Sequence, residues 1–491
     1  MDLNTYRQEI DRIDGEIMDL FCERMDIAAQ IGAYKKERGL PVFQPEREQE
    51  KLNAVRQGVR EDLGDYACRL FSHLFALSRS YQEARNRGGR FGLLGEHLSH
   101  SYSPRIHKEL GDYSYELFEV APDDLERFLK EGDFHGLNVT IPYKKAVMAY
   151  CAEISERARD MGCVNTVVRR EDGSLYGDNT DAAGFAWLLD RNGGIQPGEK
   201  ALVLGSGGAA GTVCRVLESR GAVTVQISRK GGNNYVNLYE HGDAVLLVNA
   251  TPVGMYPNNG ERLVDLSRLP GLRCVLDLIY NPSYTKLLLD AQALRIRGEN
   301  GLSMLVAQAV EASRLFTGIE PRKSKLESIL CKLSFEMENI ILIGMPGCGK
   351  STVGRALAEK LGRPFVDADE EIVKEIGDIP TFFAQRGEEA FRRVETSVLT
   401  RLGKESGLVI STGGGCVTRE ENYPLLHQNG VIIRLDRPLS LLATEGRPIS
   451  RNTELSLLFA KRDPLYETFG DLTIENRGTV DQVVDRILEV L

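Results

Sequence analysis

A chain of 491 residues exceeds what one hydrophobic core supports, and at roughly 150 residues per domain it predicts about three domains. Its 42% hydrophobic and 27% charged residues fit a soluble globular protein, and a net charge of -10 excludes a general nucleic-acid binder, which needs an excess positive field. Nine cysteines lying far apart without a CxxC pair suggest neither a disulfide framework nor a zinc site and fit a reducing cytoplasm, the polar start MDLNTYRQEIDRID predicts no signal peptide, and no apolar run nears the ~18 residues of a membrane span.

Three textures follow in chain order. Residues 1–88 carry helical periodicity with one strand-like fragment, LPVF at 40–43, and predict an all-α domain. Residues 89–320 alternate β-branched runs (VTVQIS, AVLLVNAT, CVLDLIY) with amphipathic stretches and predict an α/β domain. Residues 321–338 read as a partly helical linker, and residues 339–491 open a second α/β pattern with IILIGMPGCGKST.

In the first region a heptad reading places Leu3, Ile10, Ile17, Arg24 and Ile31 at one seam position and Tyr6, Ile13, Leu20, Ile27 and Tyr34 at the other. A guanidinium in that seam is costly unless an anion meets it. Lys35 follows Arg24 by 11 residues, so both face one side, whereas Arg7 is rotated about a quarter turn away. Arg47 and Glu48 stand in PEREQE, and Ser78 and Gln82 share a helix face at i, i+4. On pattern alone this is either an anion site or a bundle whose seam charge fixes register. The order R-x16-R-x10-K, GLPVFQPERE, S-x3-Q resembles the all-helical chorismate mutase family over about 85 residues. That resemblance implies an intertwined homodimer. It puts Arg24, Lys35, Arg47, Glu48, Ser78 and Gln82 in one site, with Arg7 reaching into the partner's. It also implies rearrangement of chorismate to prephenate by electrostatic stabilisation alone. Gln44 stands where some relatives have an aspartate.

The second region holds KALVLG followed by GSGGAAG, giving Gly205-x-Gly207-x-x-Ala210 at a strand-to-helix turn. Alone such a pattern is also an ordinary glycine-rich turn. Between a strand and a helix, it predicts a dinucleotide cradle of Gly205, Gly207, Gly208 and Ala209. Ser228, Arg229 and Lys230 end the next strand, where cations favour the extra phosphate of NADP(H). HSYSPRIH, NVTIPYK, CVNTV, GDNTDAAG, NATPVGM, DLIYNP and GLSMLVAQA, in that order, resemble shikimate dehydrogenase over some 230 residues. The resemblance implies a substrate domain plus a Rossmann NADP domain, with Lys144 and Asp181 as acid/base pair. Ser101, Ser103, Thr140, Asn165, Tyr280 and Gln308 then line the shikimate pocket, and Gly301 lies on the cofactor side. A quinate-oxidising relative is the nearest competitor.

In the third region Gly344-Met345-Pro346-Gly347-Cys348-Gly349-Lys350-Ser351 is a full Walker A motif after NIILI. It predicts ATP on the amides of Gly347, Cys348 and Gly349 through Thr352, with Lys350 on the phosphates and Ser351 on Mg2+. FVDADEEI, GEEAFRRVE, STGGG and KRDPLYE resemble shikimate kinase over about 150 residues. By that resemblance Asp369 grips the substrate hydroxyls, Asp367 lies on the metal side, and Arg392 and Arg462 clamp the carboxylate. Gly413, Gly414 and Gly415 let backbone approach the ring, and Arg447 is the lid arginine over ATP, in a short lid reading RPIS rather than RPLL.

Together these imply a trifunctional enzyme of aromatic amino-acid biosynthesis acting on 3-dehydroshikimate, shikimate and chorismate. Fused dehydrogenase- and kinase-like domains also occur in transcriptional regulators, which opens a ligand-sensor reading. Against it, Lys144, Asp181, Lys350, Ser351 and Asp369 are intact, and no helix-turn-helix or zinc-finger pattern is present.

Overall fold

The structure, a computed structural model, describes residues 3–38, 40–86, 90–98, 101–111, 113–442 and 452–491. The chain forms two compact units, residues 1–183 with 307–326 and residues 184–306 with 327–491.

The first unit opens with three helices, α1 (Leu3–Glu37), α2 (Pro45–Gly58) and α3 (Gly64–Asn86). Pro45 in the first turn suits the helix φ, and Glu46 and Glu48 there meet the positive end of the α2 dipole. LPVF at 40–43 is the α1–α2 connection rather than a strand, because no described strand lies near it in the chain to complete a ladder. Helix α1 packs on α3 and α3 on α2. On α1 the buried residues are small, Ala28 and Ala29, while the large apolar residues of the heptad from Tyr6 to Tyr34 are 41% to 64% exposed. Next comes a six-stranded mixed sheet of β1 (Arg90–Gly95), β2 (Ser114–Glu119), β3 (Gly136–Val139), β4 (Glu153–Ile154), β5 (Thr166–Arg169) and β6 (Leu175–Asp178). Its order is β2-β1-β3-β5-β6-β4, antiparallel only at the β3–β5 and β5–β6 pairings. Leu94, Leu137, Val139 and Val167 of these strands join Leu125, Leu129 and Phe134 in its core.

The second unit holds two all-parallel five-stranded sheets. One runs β11-β10-β9-β7-β8, from β7 (Lys200–Leu204), β8 (Val223–Ile227), β9 (Leu246–Asn249), β10 (Cys274–Asp277) and β11 (Arg297–Asn300). The other runs β13-β14-β12-β15-β16, from β12 (Asn339–Ile343), β13 (Phe365–Asp367), β14 (Val409–Ser411), β15 (Gly430–Asp436) and β16 (Leu472–Glu475). Central strands such as β12 are buried at every residue, as parallel sheets covered on both faces require. The segment read as a linker is mostly one helix, Lys323–Met337, whose Leu326, Ile329, Leu330, Leu333 and Met337 are buried, so it is more than a tether. Among the described residues no helix is long and apolar enough to cross a membrane.

Asp277 closes β10 with no solvent exposure. It accepts hydrogen bonds from Asn249 Nδ2 (2.9 Å), the Ile279 amide (3.1 Å) and Thr285 Oγ1 (2.6 Å). Burial nonetheless pushes its carboxyl up to about 6. The folded state therefore holds this proton more tightly than the unfolded chain does, and ionisation between about pH 4 and 6 costs stability, roughly 3 kcal/mol at most. Asp277→Asn lacks this ionisation, so its stability relative to the parent should rise from pH 4 to pH 7. Calorimetric melts at both pH values check this, and a pH-independent offset would refute it.

Candidate active sites

In the helical region, Arg24 of α1 points at α3. Its guanidinium donates to Ser78 Oγ and, at 3.5 Å, to the Leu74 carbonyl, and lies 5.7 Å from the Phe75 ring centroid. Lys35 donates to the Val42 carbonyl at 2.8 Å. Glu48 of α2 is ion-paired with Arg79, whose guanidinium also covers the Phe43 ring at 4.8 Å. Gln82 is buried and its amide oxygen has no hydrogen-bond partner among the described residues. Arg24, Ser78, Glu48 and Gln82 thus collect on or against one face of α3. Arg47 instead bonds Glu50 at 2.9 Å on an exposed face, and Arg7 is exposed on α1. Sequence reasoning missed Arg79. Its signal was the face Phe75, Ser78, Arg79, Gln82 at i, i+3, i+4, i+7.

In the mixed-sheet region, the turn after β3 carries Thr140 and Lys144, and the first turn of helix Thr180–Arg191 carries Asp181. Lys144 Nζ donates to Asp181 Oδ2 at 2.6 Å. Burial alone would lower the lysine, but the Asp181 carboxylate outweighs it and holds the ammonium above its ordinary range. Asn165 is buried, and its Oδ1 accepts from the Thr180 amide (2.7 Å) and Thr166 Oγ1 (3.0 Å). Thr180 Oγ1 in turn reaches Gln308 Oε1 at 3.3 Å. The Ser103 amide donates to Ser101 Oγ at 3.2 Å, and the Tyr115 hydroxyl meets Ser103 and donates to Asn138 Oδ1 at 2.8 Å. The structure therefore ties Asn165 to Gln308 and Lys144 to Asp181. The supporting Tyr115, Asn138, Thr166 and Thr180 went unread because their polar role exists only across neighbouring strands. Tyr280 follows β10 in the second unit and is half-buried.

In that second unit Gly205 leaves β7 at φ 117, and a Cβ there would meet the Ala250 carbonyl at 3.0 Å. Gly207 caps the helix Gly208–Ser219, and Cβ atoms at Gly207 or Gly208 would meet nothing within 4 Å. Ala209 is likewise exposed. Leu204 pairs with Ile227, so Ser228, Arg229 and Lys230 emerge beside this turn, the two cations exposed. An open helix start with exposed cations on the next strand end suits a dinucleotide bearing an extra phosphate. Gly301 is constrained by backbone: its Cβ would meet the Leu278 carbonyl at 2.2 Å.

At the end of β12, Gly344, Gly347 and Gly349 have φ of 142, 83 and 95 degrees, a curl that side chains resist. Lys350 is buried and donates to the Gly344 (2.9 Å) and Met345 (3.2 Å) carbonyls, and Asn476 donates to the Cys348 carbonyl, an anchor unread in the sequence. Ser351 Oγ donates to Asp367 Oδ2 at 2.6 Å, placing two hard oxygen donors together as a magnesium site requires, while Thr352 is exposed. Farther along, a Cβ at Gly413 would lie 2.7 Å from Asp369 Oδ1, and one at Gly415 would lie 2.1 Å from Arg392 Nη1. Arg462 donates to the Gly414 carbonyl at 2.9 Å. Asp369, Arg392, Arg462 and the three glycines therefore converge. Arg392 is held by Glu395 at 2.7 Å, a fully buried carboxylate that burial pushes up despite the guanidinium. Glu395 was missed, although its i+3 spacing from Arg392 was visible. Arg447 lies outside the described residues.

Family models match three stretches: chorismate mutase type II over residues 6–83, shikimate dehydrogenase substrate binding domain over 93–167, and shikimate kinase over 346–491. A shikimate dehydrogenase (NADP(+)) of Clostridium perfringens is 38% identical over 261 residues, covering 49% of this chain and 96% of that protein. The chain belongs to the shikimate dehydrogenase family. One from Methanopyrus kandleri is also 38% identical, over 273 residues, covering 49% of this chain and 94% of its own. The crystal structure of a chorismate mutase/shikimate 5-dehydrogenase fusion protein from Clostridium acetobutylicum is 35% identical, covers 50% of this chain and 96% of that chain, and has a TM-score of 0.48. In this chain the chorismate mutase match precedes the dehydrogenase match and the shikimate kinase match follows it.

The glycine geometry of the kinase domain yields a direct test. In Gly415→Ala the new methyl must displace the Arg392 guanidinium, so the KM for shikimate should rise about tenfold with the KM for ATP unchanged. Steady-state kinase assays measure both, and an unaltered shikimate KM would contradict the clamp.

Proposed function

We propose that this chain performs three reactions on ring-bearing carboxylic acids: reduction of 3-dehydroshikimate to shikimate, phosphorylation of shikimate at the 3-hydroxyl, and rearrangement of chorismate to prephenate. The observation that carries the reading is the 2.6 Å Lys144–Asp181 pair, an ammonium kept protonated and aimed by a carboxylate. Bound NADPH supplies a hydride, and ATP with Mg2+ a phosphoryl group. Lys144 would donate a proton to the ketone oxygen as charge develops there, and Asp181 keeps that ammonium oriented. Asn165, Gln308, Ser101, Ser103 and Thr140 present the amides and hydroxyls that select a polyol acid over an apolar substrate. Gly205, Gly207, Gly208 and Ala209 would hold the NADP pyrophosphate, and Arg229 and Lys230 its extra phosphate.

In the kinase, the hydroxyl that reduction creates is the acceptor. Asp369 takes its proton, Arg392 and Arg462 hold the carboxylate, and Lys350 would neutralise phosphate charge while Ser351 and Asp367 would hold Mg2+. In the mutase no group is transferred to the protein. Arg24 binds one carboxylate, Arg47 turns from Glu50 to meet the other, and Lys35, Glu48 and Gln82 act at the ether oxygen. The buried, unpartnered amide oxygen of Gln82 is consistent with an amide that turns when substrate enters. Nine free thiols suit a reducing cytoplasm.

Activity assays on all three substrates test the assignment. Arg24→Ala, Lys144→Ala and Lys350→Ala should each lower one rate by at least about a hundredfold and leave the other two near the parent value. Loss of two activities from one substitution in a folded chain would overturn the division of labour.

The exposed heptad of α1 supports a homodimer through the helical domain, with Arg7 supplied to the partner's site. A dimer seam buries such residues, and a monomer gains nothing from exposing them. Two inactive chains, Arg7→Ala and Arg24→Ala, should regain about a quarter of parental mutase activity when refolded together, because mixed dimers contain one complete site. Absence of recovery, with mixed dimers confirmed by sedimentation and mass spectrometry, would rule out donation in trans.

A further inference from the structure

The loop 278–285, which leaves the carboxyl end of β10 and carries Tyr280, is fastened by two different domains. Its inner part belongs to the nucleotide domain. The Leu278 amide donates to the Asn249 carbonyl (2.9 Å), the Gly301 amide to the Ile279 carbonyl (3.1 Å), and Asn300 Nδ2 to the Ser283 carbonyl (3.0 Å). Its outer part ends on the kinase domain. The Tyr284 amide donates to the Gln428 carbonyl at 2.8 Å, and the Ser283 amide and hydroxyl lie 3.4 and 3.3 Å from Asn429 Oδ1. The Tyr284 ring stacks on His427, centroids 5.3 Å apart and planes at 20°, and Tyr423 stacks at 4.9 Å. The loop after β9 reaches the same place, with Asn259 Nδ2 donating to Gln428 Oε1 at 2.7 Å and the Tyr256 hydroxyl to the Gly403 carbonyl at 3.0 Å.

The kinase side of this contact is itself held. His427 Nδ1 lies 3.1 Å from Asp471 Oδ2, and Asn429 Nδ2 donates to the Glu405 carbonyl at 2.7 Å, which aims its Oδ1 at Ser283. A backbone amide whose acceptor lies in another domain is satisfied only while the two are docked, and an unmade bond of this kind is costly. The kinase segment therefore limits the conformations open to the three residues between Tyr280 and Tyr284.

We propose that His427, Gln428 and Asn429 of the kinase domain are positioning residues for the dehydrogenase, fixing the loop that carries Tyr280. This rests on the dehydrogenase reading above. The kinase domain contributes rigidity to reduction without touching the reacting atoms, and small displacements of a substrate-positioning group are enough to alter turnover.

The test uses the full-length chain. In Asn429→Ala and in Tyr284→Ala, the KM for 3-dehydroshikimate should rise about 3- to 10-fold, while the KM for NADPH and the kinase kcat stay within about twofold. Tyr284→Phe keeps the ring stack and should match the parent. Backbone amides of 279–285 should exchange about tenfold faster in both alanine variants, read by hydrogen–deuterium exchange mass spectrometry. Asn429 also bonds within its own domain, so if Asn429→Ala misfolds, the Tyr284→Ala and Tyr284→Phe pair decides. Unchanged 3-dehydroshikimate KM and unchanged exchange in a folded Tyr284→Ala chain would overturn the proposal, as would failure of Tyr284→Phe to restore both. If the parent chain does not turn over 3-dehydroshikimate, the dehydrogenase reading falls and the positioning role falls with it, whereas exchange in 279–285 still decides whether the loop is held.

Discussion

Cations that are removed from water need a resident acceptor, and the arrangement of all three sites follows from that requirement. Lys144 rests on Asp181, Arg392 on Glu395, Arg79 on Glu48, and Lys350 on two P-loop carbonyls. Each resident partner holds the cation in one orientation in the ligand-free chain. An uncompensated ammonium in the same place would lose its proton, and a guanidinium, which keeps its proton, would swing to solvent. The resident acceptor thus both satisfies the buried charge and fixes the direction of the side chain.

Backbone arrangement decides where those pairs stand. The P-loop and the dinucleotide turn both leave the carboxyl ends of central parallel strands, β12 and β7, where amides point outward and strand polarity brings neighbouring loops together. Ser351 and Asp367 come from different strand–helix units and meet only because β13, β14 and β12 lie side by side. The helical domain reaches a comparable result without a sheet. A single face of α3 gathers Ser78, Arg79 and Gln82 against Arg24 from α1 and Glu48 from α2.

The fusion adds a constraint that neither enzyme needs alone. Two loops at the carboxyl edge of the nucleotide sheet end on residues 403 and 427–429 of the kinase domain. One of these loops carries Tyr280, so covalent linkage here accompanies shared packing rather than a loose tether.

Local pattern was enough to read the Walker A curl, the glycine turn after β7, the heptad of α1 and the ordered phrases that name the families, because each depends on residues close in sequence. The same holds for Lys144, Asp369 and Arg392, which lie inside such phrases. Tyr115 and Asn476 were silent because their roles are pairings with residues far along the chain, which leave no periodic trace, whereas Arg79 and Glu395 stood at helical spacing and were passed over because spacing alone does not name a partner. The segment 321–338 went the same way: its apolar residues were visible, but only tertiary packing made them a buried helix face. The sequence by itself determined which chemistries the chain contains, since these reside in local motifs. Tertiary structure alone decided which carboxylate compensates which cation and which domain holds which loop, since a buried charge takes its partner from whatever the fold brings within hydrogen-bonding distance.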